Sequence, residues 1–306
     1  MSLQTLESSS AKLWLAAIKP PIYSVAIMPI WVGTAVAVAD TQVFNGRVFY
    51  TFLISAIFIV IWLNLSNDVF DSETGIDENK PHSLVNLTGN KNLIFGLANL
   101  FLILGILGIL AIAWWQQDIT IIALVVLSCL LGYTYQGPPF RLGYHGLGEI
   151  ICWIAFGPLA VAAAYYSQTQ RWLVGNMAAL WIAATVVGLV TSLVLFCSHF
   201  HQVEDDIKAG KRSPIVRLGT ERGAKLLPWF CGSIYATIVA GIVLEILPMW
   251  TILAFGSLPF AWQLCTHVNK YHAQPDKVSN SKFIAISIHA SSCSLLGVGF
   301  LLNFLP

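Results

Sequence analysis

Two short stretches hold most of the groups in this chain that could bind a metal or stabilise a developing charge. The first, "NLSNDVFDSETGIDENKPHS" from Asn64, brings Asp68, Asp71, Glu73, Asp77 and Glu78 together. The second, "CSHFHQVEDDIKAGKRSPIVRLGTERG" from Cys197, holds Glu204, Asp205 and Asp206, followed by Lys208, Lys211 and Arg212. These eight are more than half of the fifteen acidic residues. If helix continues past Asn64, then Asn64, Asp68 and Asp71 stand at i, i+4 and i+7 on one face, flanked by Asn67. Like charges stacked this way repel, and a bound cation removes that cost. Carboxylate and amide oxygens suit Mg²⁺, which takes one or two carboxylates and completes its shell with phosphate oxygens. Lysines and arginines among the acids suit the phosphates too. A single acidic cluster reads equally well as a solvated loop. Two of them, each followed by basic residues, point to Mg²⁺–diphosphate binding.

The elements that carry these clusters are apolar. Of the 306 residues, 57% are hydrophobic and 10% charged, against about 45–50% and 25% in a soluble domain. Nine apolar segments, at 20–39, 49–66, 92–115, 119–135, 147–166, 176–200, 226–247, 250–268 and 283–304, approach the ~20 residues that cross a ~30 Å hydrocarbon layer. Runs such as "FGLANLFLILGILGILAIAWW" have no polar face, which argues against a soluble bundle. The expectation is an all-α membrane protein with nine transmembrane helices in a single domain over 1–306. Its acidic motif regions lie at about 64–82 and 199–217.

With nine spans, fourteen of the sixteen Lys and Arg residues fall on one side, and only Arg47 and Arg171 on the other. The positive-inside rule makes the rich side cytoplasmic, and both acidic clusters lie there. Trp114, Trp115 and Trp172 sit where interfacial belt residues belong. The polar first dozen residues and the early Lys19-Pro20-Pro21 break do not resemble a cleaved signal peptide. Six scattered cysteines give neither zinc-ligand spacing nor a disulfide framework, and read as buried apolar residues. No basic stripe with interleaved aromatics is present, so nucleic acid is not an expected partner, and no protein partner is indicated.

The same stretches resemble a known family. "NDVFDSETGID" resembles the first aspartate-rich motif, NDxxDxxxD, of the UbiA-type intramembrane prenyltransferases. "EDDIKAGKRSPIVRLGT" resembles the region of their second motif, DxxxD, with the Gly-Lys-Arg stretch of the naphthoate branch. "YTYQGPPFRLGYHGLGE", Tyr133 to Glu149, is similar to that branch's Tyr-x-x-Pro-Pro connection. The resemblance implies a nine-helix prenyltransferase bundle and Mg²⁺ as cofactor. On the matching positions it implies Asn67, Asp68 and Asp71 as Mg²⁺ ligands of the first motif. Gly75 stands where that motif has its last aspartate, with Asp77 the nearest replacement. In the second motif Asp206 matches the later aspartate and Gln202 replaces the earlier one, leaving Glu204 or Asp205 to compensate. Lys19, Lys80, Arg141 and Lys211 match basic positions that hold diphosphate.

The activity so implied is transfer of a phytyl group from phytyl diphosphate to 1,4-dihydroxy-2-naphthoate, with loss of CO₂ and pyrophosphate, in phylloquinone or menaquinone biosynthesis. Asp68, Asp71 and Asp206 would be the catalytic carboxylates, in a plasma or thylakoid membrane with the site on the cytoplasmic side. Tyr135, His199 and His201 are candidate acceptor contacts. Tyr135, like Tyr133, reads equally as a belt tyrosine, and either histidine as a helix cap. Glu149 reads as a helix N-terminal acid, and Glu245 as an interfacial one. Related readings are homogentisate phytyltransferase, chlorophyll synthase or a menaquinone enzyme with a longer donor. From another class, an ion-coupled transporter would place its acids nearer the bilayer midplane.

Overall fold

A computed structural model describes residues 20–76, 83–172 and 177–303, and every regular element among them is helical. The long helices are α1 (Ser24–Thr41), α2 (Gly46–Thr74), α3 (Lys91–Gln116), α4 (Thr120–Gln136), α5 (Gly148–Thr169), α6 (Met177–Ser198), α7 (Thr220–Val243), α8 (Leu258–Tyr271) and α9 (Ser281–Leu302). Each of the nine apolar segments overlaps helical structure among the described residues. Among the described residues, however, seven helices are both long and apolar enough to cross a membrane.

The two exceptions have a geometric cause. α4 has 17 residues and so spans only about 25 Å. The 250–268 segment begins as a 3₁₀ helix, Met249–Ser257, before α8 takes over. Because a 3₁₀ helix rises ~2.0 Å per residue, the combined rod still reaches roughly 40 Å.

Local chemistry sets the helix ends near the acids. α2 starts where the Asn45 side chain accepts a bond from Val48 N at 3.2 Å. It stops at Gly75, which takes a left-handed conformation with φ of 76°. A glycine there closes the helix without the Cβ strain that an aspartate would bring. α3 begins on Asn90, whose side chain accepts from Leu93 N at 3.0 Å.

α6 is the most deeply buried of the long helices, and its Val187, Val190 and Leu193 share a core with Ala285, Ile288 and Leu296 of α9. A second core joins α2, α3 and α4 through Phe52, Ile109 and Ile121. α3 turns Leu100, Ile103, Leu107 and Leu110 outward and exposed, an arrangement stable in lipid and costly in water. α1 and α5 touch backbone to backbone at Gly33, where a Cβ would strike the Val161 carbonyl and Ala164. Such small-residue crossings are how lipid-embedded helices gain packing. Within α5 the turn Ala155–Leu159 widens to a π-helix around Pro158, because proline removes one N–H from the ladder.

Candidate active site

The last two turns of α2 carry the first acidic cluster. Asp68 is buried at 2% exposure, and its Oδ2 accepts a bond from Leu84 N at 3.0 Å, tying α2 to the short helix Leu84–Thr88. Asp71 is half-buried one turn further on. Glu73 takes the adjacent cations, with Lys91 Nζ at 2.7 Å and Arg141 Nη2 at 3.3 Å. Thr74 Oγ1 lies 2.6 Å from the Tyr144 hydroxyl.

The second cluster follows α6. The chain passes through a 3₁₀ turn, His199–His201, into the helix Val203–Lys208. Here Asp206 is fully buried, Asp205 half-buried and Glu204 exposed. Lys211 folds back, its amide donating to the Asp206 carbonyl at 2.7 Å and its Nζ lying 3.5 Å from Asp206 Oδ1. His199 Nδ1 stands 3.2 Å from Asp206 Oδ2, and His199 Nε2 stands 3.5 Å from Glu149 Oε1. Glu149, His199, Asp206 and Lys211 therefore form a largely buried chain of polar side chains. Burial would raise the Asp206 pKa, but the bond to His199 and the Lys211 charge together hold it below the usual carboxylate range.

Both clusters converge on the segment between α4 and α5. Arg212 N donates to the Tyr144 carbonyl at 2.8 Å, and Arg217 Nη2 donates to the His145 carbonyl at 2.6 Å. Tyr144 thus meets the first cluster through Thr74 and the second through Arg212. Its phenol is pushed up to about 12, chiefly by burial, with the negative charges of Asp71 and Asp206 both adding to the shift. The two aspartates lie on the same side of the bundle and act on one phenol.

Beneath this polar roof lies a cavity of about 280 Å³ among α1, α2, α4, α5, α6 and α9. Asn64, Asn67, Tyr135, Ser198 and Lys282 line it toward the helix ends that carry the acids. Phe52, Ile30 and Ala160 line it toward the opposite ends. The Tyr135 ring is held between Gly143 and Gly148, whose hydrogens leave the room it occupies.

Of the residues singled out in the sequence, Asn67, Asp68, Asp71, Arg141, Tyr135, His199, Asp205, Asp206 and Lys211 gather around this roof and cavity. His201 closes the 3₁₀ turn two residues past His199. Lys19, Asp77 and Lys80 lie outside the described residues. Sequence reasoning missed that Glu149 faces His199 across fifty residues, and that Lys282 reaches the cavity. The signal for Lys282 was its i, i+4 relation to Ile286, which lines the same wall.

Among the described residues no three His, Cys, Asp or Glu side chains converge to cage an ion by themselves. What α2 does offer is Asp68, Asp71 and the Asn67 amide, hard oxygen donors within little more than one turn. That set fits Mg²⁺, which relies on substrate oxygens to complete its octahedron.

The sequence profile of the UbiA prenyltransferase family matches residues 26–289. A 2-carboxy-1,4-naphthoquinone phytyltransferase of Synechocystis sp. is 54% identical over 95% of this chain and 94% of its own. The chloroplastic protein of that name from Arabidopsis thaliana is 40% identical over 98% of this chain and 79% of its own. In fold, the structure of a UbiA homolog from Archaeoglobus fulgidus bound to DMAPP and Mg²⁺ superposes with a TM-score of 0.55 at 17% identity, over 93% of this chain and 99% of that one. On that extent of likeness, carried through both acidic motifs, the chain belongs to the UbiA prenyltransferase family: it is an integral membrane enzyme that transfers prenyl groups.

Proposed function

We propose that this enzyme transfers a phytyl group from its diphosphate to 1,4-dihydroxy-2-naphthoate, releasing pyrophosphate and CO₂, as a step toward phylloquinone or menaquinone. The observation that carries this reading is the convergence of both acidic clusters on Tyr144, with Arg141 and Lys211 beside them, over an apolar cavity. The names of the Synechocystis and Arabidopsis relatives support the phytyl donor and a carboxylated two-ring acceptor. Those names give the acceptor as a quinone. Attack on an allylic carbon needs the electron-rich ring, which is the quinone reduced by two electrons and two protons.

Asn67, Asp68 and Asp71 would hold Mg²⁺ beside the diphosphate. When bound, the ion would supply positive charge to offset the charge developing on the leaving group. Arg141 and Lys211 stabilise the departing pyrophosphate, aided by Lys19 and Lys80 from the flanking segments. Asp206, held by His199 and Lys211, keeps Lys211 aimed at that group. The second motif thus works through its lysine as much as through its carboxylate, consistent with Gln202 standing where the family has an aspartate. Asp205 supplies a further oxygen at the rim. Tyr135 packs on the acceptor ring, and His199 and His201 border its hydroxyls. The ring then bonds to the allylic carbon, and CO₂ leaves with its bonding pair returned to the ring. Apolar walls exclude water from the allylic cation, whose hydrolysis is the competing reaction.

The full topology proposed is nine spans, adding α4 and the Met249–Tyr271 rod to the seven long helices. The chain is one domain in a plasma or thylakoid membrane, with the acid-bearing side cytoplasmic. The deciding experiment incubates membranes holding the enzyme with phytyl or longer diphosphates and carboxyl-labelled acceptor, with and without Mg²⁺. Mg²⁺-dependent release of labelled CO₂ with the phytyl donor is expected. Product that retains the label would show that the naphthoate reading is wrong.

A further inference from the structure

Asn64 belongs to the first polar stripe, but the diphosphate chemistry leaves it unused. It shares a face of α2 with Asp68 and Asp71. Yet it stands three residues before Asn67, about 4.5 Å deeper along the helix axis. There it is half-buried and lines the cavity with Leu63, Ser128, Gly132, Thr191 and Ser198. The hydroxyls on this wall are turned to their own helices. Ser128 donates to the Leu124 carbonyl at 3.0 Å, Thr191 to Val187 at 2.8 Å and Ser198 to Leu195 at 2.7 Å. Asn64 is anchored in the same way, its Nδ2 donating to the Val60 carbonyl at 3.1 Å. That bond orients the amide and leaves its oxygen unspent: Asn64 Oδ1 accepts no hydrogen bond from any described residue. A carboxamide oxygen can accept two.

An oriented acceptor on a largely apolar wall suits a ligand that brings a hydroxyl, because a hydroxyl moved out of water without a partner is penalised. The two phenols of 1,4-dihydroxy-2-naphthoate differ in this respect. The 1-hydroxyl lies beside the carboxylate and donates to it within the molecule, whereas the 4-hydroxyl has no internal acceptor. We propose that Asn64 Oδ1 accepts a hydrogen bond from the 4-hydroxyl of the aromatic acceptor, and so selects the dihydroxy acid over the same ring without that group. The inference rests on the functional reading above and deepens it by naming the residue that recognises one substituent of the acceptor. Asn64 lies deeper than the acids, so this contact turns the carboxylate-bearing carbon, the one prenylated, up toward the diphosphate. The 4-hydroxyl is meta to that carbon and takes little of the charge that develops during attack. The bond is then about equally strong in the ground and transition states. Its effect belongs in the acceptor's KM, with kcat little changed.

The test compares wild type, Asn64→Leu and Asn64→Ala on 1,4-dihydroxy-2-naphthoate and 1-hydroxy-2-naphthoate at saturating donor. The second compound lacks only the 4-hydroxyl; where its turnover is too slow to follow, it is read as a competitive inhibitor. Wild type should bind the dihydroxy acid about tenfold more tightly, the net worth of one hydrogen bond. In both variants that ratio should fall close to one, through a rise in KM for the dihydroxy acid. Because the ratio is taken within one preparation, any loss of folded protein cancels from it. A ratio that neither substitution changes, a fall in kcat alone, or a rise in the donor's KM with discrimination intact overturns the assignment. A wild type that binds both acceptors equally also overturns it, while leaving the functional reading in place. If wild type transfers to neither naphthoate, the functional reading itself fails, and this inference with it.

Discussion

At the scale of single residues, the first motif separates structural from chemical duty. Asp68 is both a proposed ligand and the acceptor that fixes Leu84 N, whereas Asp71 stands one turn nearer the helix end. Asp71→Ala is therefore expected to cut Mg²⁺-dependent pyrophosphate release by about 100-fold or more, in line with loss of one electrostatic contact to a developing charge. Asp68→Asn keeps an oxygen for Leu84 and should lose activity alone. Asp68→Ala should lose activity and about 1 kcal/mol of stability as well. Equal melting temperatures for the two Asp68 variants would show that the contact to Leu84 carries no load. The motif was legible in the sequence because its residues are four and seven apart on one helix. The Glu149–His199–Asp206 chain was not, because it forms only when the starts of α5 and the Val203–Lys208 helix meet the end of α6.

At the scale of elements, hydropathy located each apolar segment but not its helix type. It could not show the 3₁₀ start of the Met249–Tyr271 rod, or the π-turn at Pro158, because both depend on how neighbours satisfy the backbone. The short connections are equally specific. At the α3–α4 corner Asp118 caps Thr120 N at 2.8 Å and accepts from the Tyr166 hydroxyl of α5 at 2.5 Å. The Tyr166 bond and then the Thr120 amide lower the Asp118 pKa below its ordinary value. A depressed carboxylate contributes stability that is complete above its unfolded pKa, ~3.9, and is lost as pH falls through the folded value. Tyr166→Phe should lower the melting temperature by a constant amount between about pH 5 and 8, and the gap should close below ~4 as Asp118 protonates in both proteins. A gap that widens on acidification would contradict this.

At the scale of the whole molecule, the fold places a charged roof over a largely apolar shaft, and the shaft has a measurable depth. α2 contributes Asn67 at the roof and Phe52 at the far end of the lining, with Ala56, Ile59, Val60 and Leu63 between them. Fifteen residues of helix separate the two ends, about 22 Å, enough to lay a long isoprenoid tail beside α2 while its diphosphate stays at the roof. Such a tail favours an apolar wall by ~0.8 kcal/mol per CH₂, so its last carbons add affinity only where the shaft admits them. Phe52→Trp fills the far end without touching the roof. It should lower kcat/KM for a twenty-carbon donor several-fold while leaving a ten-carbon donor, which stops short of residue 52, near its wild-type value. Equal losses on both donors, or none on either, would mean that the tail leaves the shaft sideways between helices before it reaches Phe52.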